Sequence, residues 1–114
     1  MPAERTASPV TVPPITRTRM ARYAAAVADF NPIHFEDEFA TAAGLPTVIV
    51  QGPLTAAMLL DAAVSGAPRR GSMRVRLKAP VFPGEELTLV PTATSTELLK
   101  PDGTVAVSAE IDID

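Results

Sequence analysis

The chain reads as one α+β domain, and three observations predict it: a segment from Gly52 to Ser65 that is apolar on nearly every face, a later stretch alternating apolar with charged residues, and prolines that punctuate periodic segments. A helix with no polar face must be buried. Alternation at every second residue marks a half-buried antiparallel strand. One hydrophobic helix followed by such strands implies a curved antiparallel sheet wrapped around it. The 114 residues allow one core and not two, and neither a repeat nor a linker divides them.

The elements follow in order. A short extended start spans Val10 to Ile15. Thr16 or Thr18 then caps a helix whose apolar positions Met20, Tyr23, Ala24 and Val27 recur at helical spacing, ending near Ala28. "HFEDEF" and "ATAAG" form a second, short helix: Glu36, Asp37 and Glu38 suit its positive N-terminal end, and Gly44 its C′ position. After the apolar run "TVIV", Pro53 opens the hydrophobic helix and Gly66 closes it. Met73, Val75 and Leu77 then face one way, and Arg74, Arg76 and Lys78 the other. "FPGEE" turns into a strand from Leu87 to Ser95, and "KPDG" into one from Thr104 to Ile113, giving a meander of at least three strands. Met1 to Pro9 is expected to be disordered, with residues 10–114 forming the domain. A sheet with a single covering helix leaves edges and part of a face open, which favours pairing with a second chain.

Composition narrows the function. A net charge of -3 with both signs interspersed gives no electrostatic footprint for nucleic acid. The absence of cysteine excludes disulfides and thiolate chemistry, and a lone histidine argues against a zinc site. No secretory signal is evident, and the most apolar run, Leu54 to Val64, is interrupted by Asp61 and too short to span a bilayer. A reducing cytoplasm is the expected location.

The stretch "ADFNPIH" holds that single histidine. Pro32 forces Asn31 out of the helical region, so the chain turns sharply and lets Asp29 and His34 converge. A carboxylate beside an imidazole can take one proton and deliver another near neutral pH. For an arbitrary pair at this spacing, a turn-capping aspartate and a satisfied histidine is the commoner outcome.

The wider pattern is more specific. "YAAAVADFNPIHFEDEFATAAGLPTVIVQGPL", with its D-x-N-P-x-H signature, acidic short helix and helix-opening glycine, resembles the MaoC-like dehydratases and (R)-specific enoyl-CoA hydratases. "VRLKAPVFPGEELTL" is similar to the strand, proline turn and strand that follow there, so the resemblance runs from about residue 16 to 112. It implies the hotdog fold, a long helix wrapped by an antiparallel sheet. It also implies that Asp29 and His34 are the acid/base pair adding water to a trans-2-enoyl thioester, or removing it from the (R)-3-hydroxyacyl form. By the same resemblance Gly52 offers its N–H to the thioester oxygen, at a helix start where unpaired donors favour an anion. Asn31 either fixes the loop or holds the catalytic pair or a water.

The resemblance implies no metal or organic cofactor, a coenzyme A or acyl-carrier-protein thioester as substrate, and a homodimer, higher oligomer or heteromer. The chain departs from the family at Gln51, where histidine is common, at Val27 and Ala28, which replace a Ser-Gly pair, and at Leu60, where some relatives carry a hydroxyl. Those positions bear on pocket shape. The first strand is expected to be minimal or to pair mainly with a partner subunit. Ala56, Ala57, Leu59, Leu60 and Ala63 are read as helix-to-sheet packing before an acyl tunnel, and Arg69, Arg70, Arg74, Arg76 and Lys78 as a solvated face before a phosphate site. Two other functions fit the same fold: a non-catalytic subunit stabilising a partner dehydratase, and an acyl-thioester hydrolase.

Overall fold

A computed structural model of the protein describes residues 9–64, 70–91 and 95–113. The expected strand from Val10 is short: β1 (Val10–Val12) pairs with β3 of the same chain. Thr16 is the N-cap of α1 (Arg17–Val27), its hydroxyl accepting from the Arg19 N–H at 3.1 Å. Met20 and Ala24 bury one face of α1, while Val27 is exposed. A 3₁₀ turn (Pro32–His34) leads into α2 (Asp37–Ala42), after which Gly44 takes a left-handed φ of 91°. The long helix α3 (Gly52–Val64) precedes β2 (Gly71–Leu77), β3 (Leu87–Pro91), β4 (Thr96–Leu99) and β5 (Val105–Ile113).

The five strands form one sheet in the order β1-β3-β4-β5-β2, with every pairing antiparallel. Two expectations about it need correction. The segment after "FPGEE" is not one strand to Ser95: β3 is described as far as Pro91, Ser95 lies outside a strand, and β4 is a separate strand. The alternating strand β2 does not pair with its chain neighbour β3. It crosses to β5, matching Met73 with Ile111 and Leu77 with Val107. A register shift at Leu98/Leu99 leaves Ala106 between paired residues, and its carbonyl accepts from both Lys78 N–H (2.8 Å) and Ala79 N–H (3.1 Å). That bulge bends the chain away from the sheet as it leaves β2.

A third correction concerns α3. Leu54, Thr55 and Leu59 are buried against the sheet, but Ala57 and Leu60 are exposed, so the chain covers its hydrophobic helix on one side only. The strands reach one face of a cylinder, and α1 and α2 do not close around the other. Ile15, Met20, Val48, Leu87, Leu98 and Val107 join Leu54 and Leu59 in one contiguous core. Each fully buried side chain of this size contributes about 1.5 to 3 kcal/mol of transfer free energy. No described helix is long and apolar enough to cross a membrane. The expected disorder of Met1 to Pro9 falls almost entirely outside the described residues.

Candidate active site

The site is built where α1 ends. Ala28 closes the helix in the left-handed region (φ 56°, ψ 38°), and the Asp29 N–H reaches back to Ala24 O at 3.1 Å. A residue with a Cβ sits there at a cost of roughly 1 to 2 kcal/mol, which explains the glycine common at this position in the family the chain resembles. Pro32 then holds Asn31 extended, at φ -60° and ψ 126°. Asn31 fixes the loop: its N–H donates to Asp29 Oδ1 (3.3 Å), and its own Oδ1 caps the 3₁₀ turn by accepting from the Ile33 N–H (3.0 Å). Of the two roles left open for it, these bonds serve the positional one.

With Oδ1 engaged by the loop, Oδ2 of Asp29 lies 3.7 Å from His34 Nε2. The imidazole is nearly buried, its side chain 11% exposed, whereas the carboxylate is 38% exposed. On the far side of the ring, Nδ1 is 2.7 Å from the Ile49 carbonyl oxygen. A carbonyl can only accept, so Nδ1 carries a proton and Nε2 of the neutral ring carries the lone pair.

The strap that carries the Ile49 carbonyl is anchored at three successive amides. Val48 N–H donates to Asp37 Oδ1 (3.1 Å), Ile49 N–H to Ile33 O (3.1 Å) and Val50 N–H to Val81 O (2.8 Å). The run "TVIV" is therefore an extended strap pinned residue by residue and not a strand. Asp37 Oδ1 also accepts from the Thr47 hydroxyl at 2.6 Å and from Arg17 Nη2 at 3.1 Å. The Thr47 hydroxyl first, then the Arg17 guanidinium and the Val48 amide, hold the Asp37 carboxyl down at about 2. Of Glu36, Asp37 and Glu38, which the sequence marks as helix-start charges, Asp37 also ties its helix to the strap and to α1. Arg17 and Thr47 carried no signal, since their bonds to Asp37 span 20 and 10 residues.

Beside His34 opens a cleft of about 310 Å³, walled by Ile49, Gly52, Thr55, Leu77, Pro80 and Val107 among others. His34 and Gly52 line it directly, while Asp29 and Asn31 do not and stand outside its wall. As first residue of α3, Gly52 has an N–H with no intrahelical partner. A Cβ there would lie 2.5 Å from Leu77 Cδ1, so a glycine lets β2 close over the helix start. Thr55, missed by sequence reasoning, is buried in the wall and donates to Gly52 O at 2.6 Å. None of Ala56, Ala57, Leu59 or Leu60 faces this cleft, and the side chain of Ala63 lies outside the described residues. Of the basic stripe, Lys78 reaches the rim, Arg70, Arg74 and Arg76 are exposed, and Arg69 lies outside the described residues. Gln51 is buried, donating through Nε2 to Met20 O at 2.9 Å while Oε1 finds no partner among the described residues.

A carboxylate and an imidazole at the edge of an apolar cleft, with a helix-start amide in its wall, is the layout of an acid/base site for an apolar substrate carrying one polarisable oxygen. The MaoC-like domain model matches residues 2–112, and the chain belongs to that family of hydratases and dehydratases. It is 32% identical over 90 residues to the (R)-specific enoyl-CoA hydratase of Aeromonas caviae, covering 75% of this chain and 67% of that protein. It is 39% identical over 74 residues to 3-hydroxyacyl-thioester dehydratase X of Mycobacterium tuberculosis, covering 65% of this chain but only 26% of that longer protein. The solved (R)-hydratase of A. caviae superposes with a TM-score of 0.75 at 27% identity, over 91% of this chain and 89% of that one. The fold is the hotdog fold of those neighbours.

Proposed function

We propose that the protein is a hydro-lyase that adds water to a trans-2-enoyl thioester, or removes it from the 3-hydroxyacyl form. The observation that carries this reading is the approach of His34 Nε2 to Asp29 Oδ2 at 3.7 Å, beside a cleft that also holds the first amide of α3. In hydration, the water oxygen bonds to the β-carbon as the pair takes its proton. The pair then delivers that proton to the α-carbon, so that H and OH are added in balance. Because Ile49 engages Nδ1 in either charge state of the ring, all proton traffic at His34 passes through Nε2.

Between these events, negative charge gathers on the thioester oxygen. The Gly52 N–H, at the positive end of a 13-residue helix, is the donor we assign to it. Such a donor typically supplies about 2.7 to 4 kcal/mol of transition-state stabilisation. The thioester is the activating group, and Asn31 orients Asp29. The substrate is an acyl thioester of coenzyme A or of an acyl carrier protein. We further read the assembly as at least two chains, since Leu60 and Leu77 are exposed and β2 lies at the edge of the sheet with its outer side open.

Incubation of the purified chain with crotonyl-CoA tests the reaction type. The reading expects 3-hydroxybutyryl-CoA with no free thiol. Release of free coenzyme A instead would assign a hydrolase, and unchanged crotonyl-CoA would favour a non-catalytic subunit.

A further inference from the structure

The strap from Thr47 to Val50 carries the acceptor that orients the histidine, yet its own anchor is remote from the reacting groups. Asp37 stands in the first turn of α2, and a single oxygen, Oδ1, gathers a hydroxyl, a guanidinium and a backbone amide. Helix-start electrostatics do not require this, because a carboxylate stabilises a helix start without reaching another segment. Arg17 Nη2 also touches Thr47 Oγ1 at 3.1 Å, so the first turn of α1, the first turn of α2 and the strap close a three-way clasp. One residue beyond the clasped Val48 amide is the carbonyl that accepts from His34 Nδ1.

We propose that Asp37 is a positioning residue: by pinning the Val48 amide it aims the Ile49 carbonyl at His34 Nδ1, which holds the imidazole in the Nδ1–H tautomer with its lone pair turned to Asp29. Without the clasp, the strap keeps only the bonds of Ile49 and Val50, and the peptide between Thr47 and Val48, on the upstream side of Ile49, loses its anchor. The acceptor of the Nδ1 proton is then held less firmly, and the ring gains access to the other tautomer, whose Nε2–H has no lone pair to offer Asp29's side of the site. The consequence for rate rests on the hydratase reading. The consequence for the tautomer does not.

The chain has one histidine, so the imidazole nitrogens can be read without assignment by ¹⁵N NMR of histidine-labelled protein. Above the titration of the ring, the native protein should show Nδ1 protonated and Nε2 not. Asp37→Ala should give a mixture of tautomers, and the hydration kcat should fall by up to about 100-fold with KM little changed, as expected when a reacting group is misplaced by an ångström. Glu36→Gln, a neighbouring charge at the same helix start with no side-chain cap bond, should change neither. If Asp37→Ala does not fold, Thr47→Val removes the shortest bond of the clasp and is read in the same way. A native tautomer ratio in the folded Asp37 variant, or in Thr47→Val where that variant fails to fold, overturns the proposal. A shifted tautomer in a protein that hydrates nothing would uphold the clasp and sink the hydratase reading alone.

Discussion

His34 Nδ1 and the Ile49 carbonyl oxygen are 2.7 Å apart, and that contact decides which nitrogen of the ring can do chemistry. The carbonyl accepts from the Nδ1–H, which leaves Nε2 as the nitrogen facing Asp29 Oδ2 at 3.7 Å. The pair is thus presented by two devices of different kinds. A proline-stiffened corner delivers the carboxylate, and a pinned strap turns the imidazole.

Ala28 sits in the left-handed region immediately before Asp29. Ala28→Gly relieves the Cβ strain at the cost of a more flexible unfolded chain, and the net gain expected is about 1 kcal/mol. Urea unfolding of the two proteins measures it. A loss of stability would mean that the corner does not hold the backbone at positive φ in solution.

Gly52→Ala places a methyl 2.5 Å from Leu77 Cδ1, but Leu77 is 59% exposed and can rotate away. The variant should therefore fold, with hydration reduced on the order of 100-fold because the methyl stands between substrate and the helix-start amide. Circular dichroism together with the crotonyl-CoA assay separates the two effects. A fully active variant removes Gly52 from the site.

Acid should open the clasp before it exposes the core. The Asp37 carboxyl is depressed from 3.8 to about 2, so its contribution to stability is complete above pH 3.8 and is lost as pH falls through about 2. The charged group facing it is the Arg17 guanidinium. A ¹³C titration of the side-chain carboxyls should find Asp37 near 2, and rising toward the ordinary range in Thr47→Val. An Asp37 that titrates normally in the native protein contradicts the clasp.

Leu59 and Leu60 are adjacent in α3 but face opposite ways, one fully buried and the other 39% exposed. Leu59→Ala should cost about 2 to 5 kcal/mol. Leu60→Ala should change stability by no more than about 0.5 kcal/mol. Chemical denaturation of both variants gives the comparison, and equal losses would mean that the helix is rotated or enclosed on both sides.

Lys100, just past β4, ties down the turn that carries Pro80 of the cleft wall. Its Nζ donates to Pro80 O at 2.6 Å, lies 3.4 Å from Glu85 Oε1 and sits 4.4 Å from the centroid of the Phe82 ring. Glu85 in turn accepts from the Phe82 N–H at 2.7 Å. Lys100→Met should lower stability by about 1 to 3 kcal/mol, because a largely buried carboxylate loses its cation. An unchanged melting temperature would show that the turn closes without it.

How far the sequence discloses the molecule depends on how local the physics is. Pro32 acts on its neighbour Asn31, Thr16 caps its own helix, and Gly44 serves the turn it occupies, so the corner and the ends of α1 and α2 can be read directly. The apolar run of α3 announces a buried face but not its extent. How much of it stays open depends on how many strands reach it, a tertiary quantity. The pairing of β2 with β5 was hidden for the same reason, since alternation marks a strand without naming its partner. At the site, Asp29, Asn31, His34 and Gly52 are legible through one short signature and a helix start. Ile49, Thr55 and the Arg17–Asp37–Thr47 clasp are not, because a backbone carbonyl has no residue type and the clasp joins three segments with no shared pattern.

The most direct test is the rate at which the purified chain, Asp29→Asn and His34→Ala consume crotonyl-CoA, followed as loss of the enoyl-thioester absorbance. General acid/base chemistry at this pair predicts that the native chain hydrates the substrate and that each folded variant is slower by about 10² to 10⁴-fold. Native rates in both variants would contradict the assignment of the reaction to Asp29 and His34.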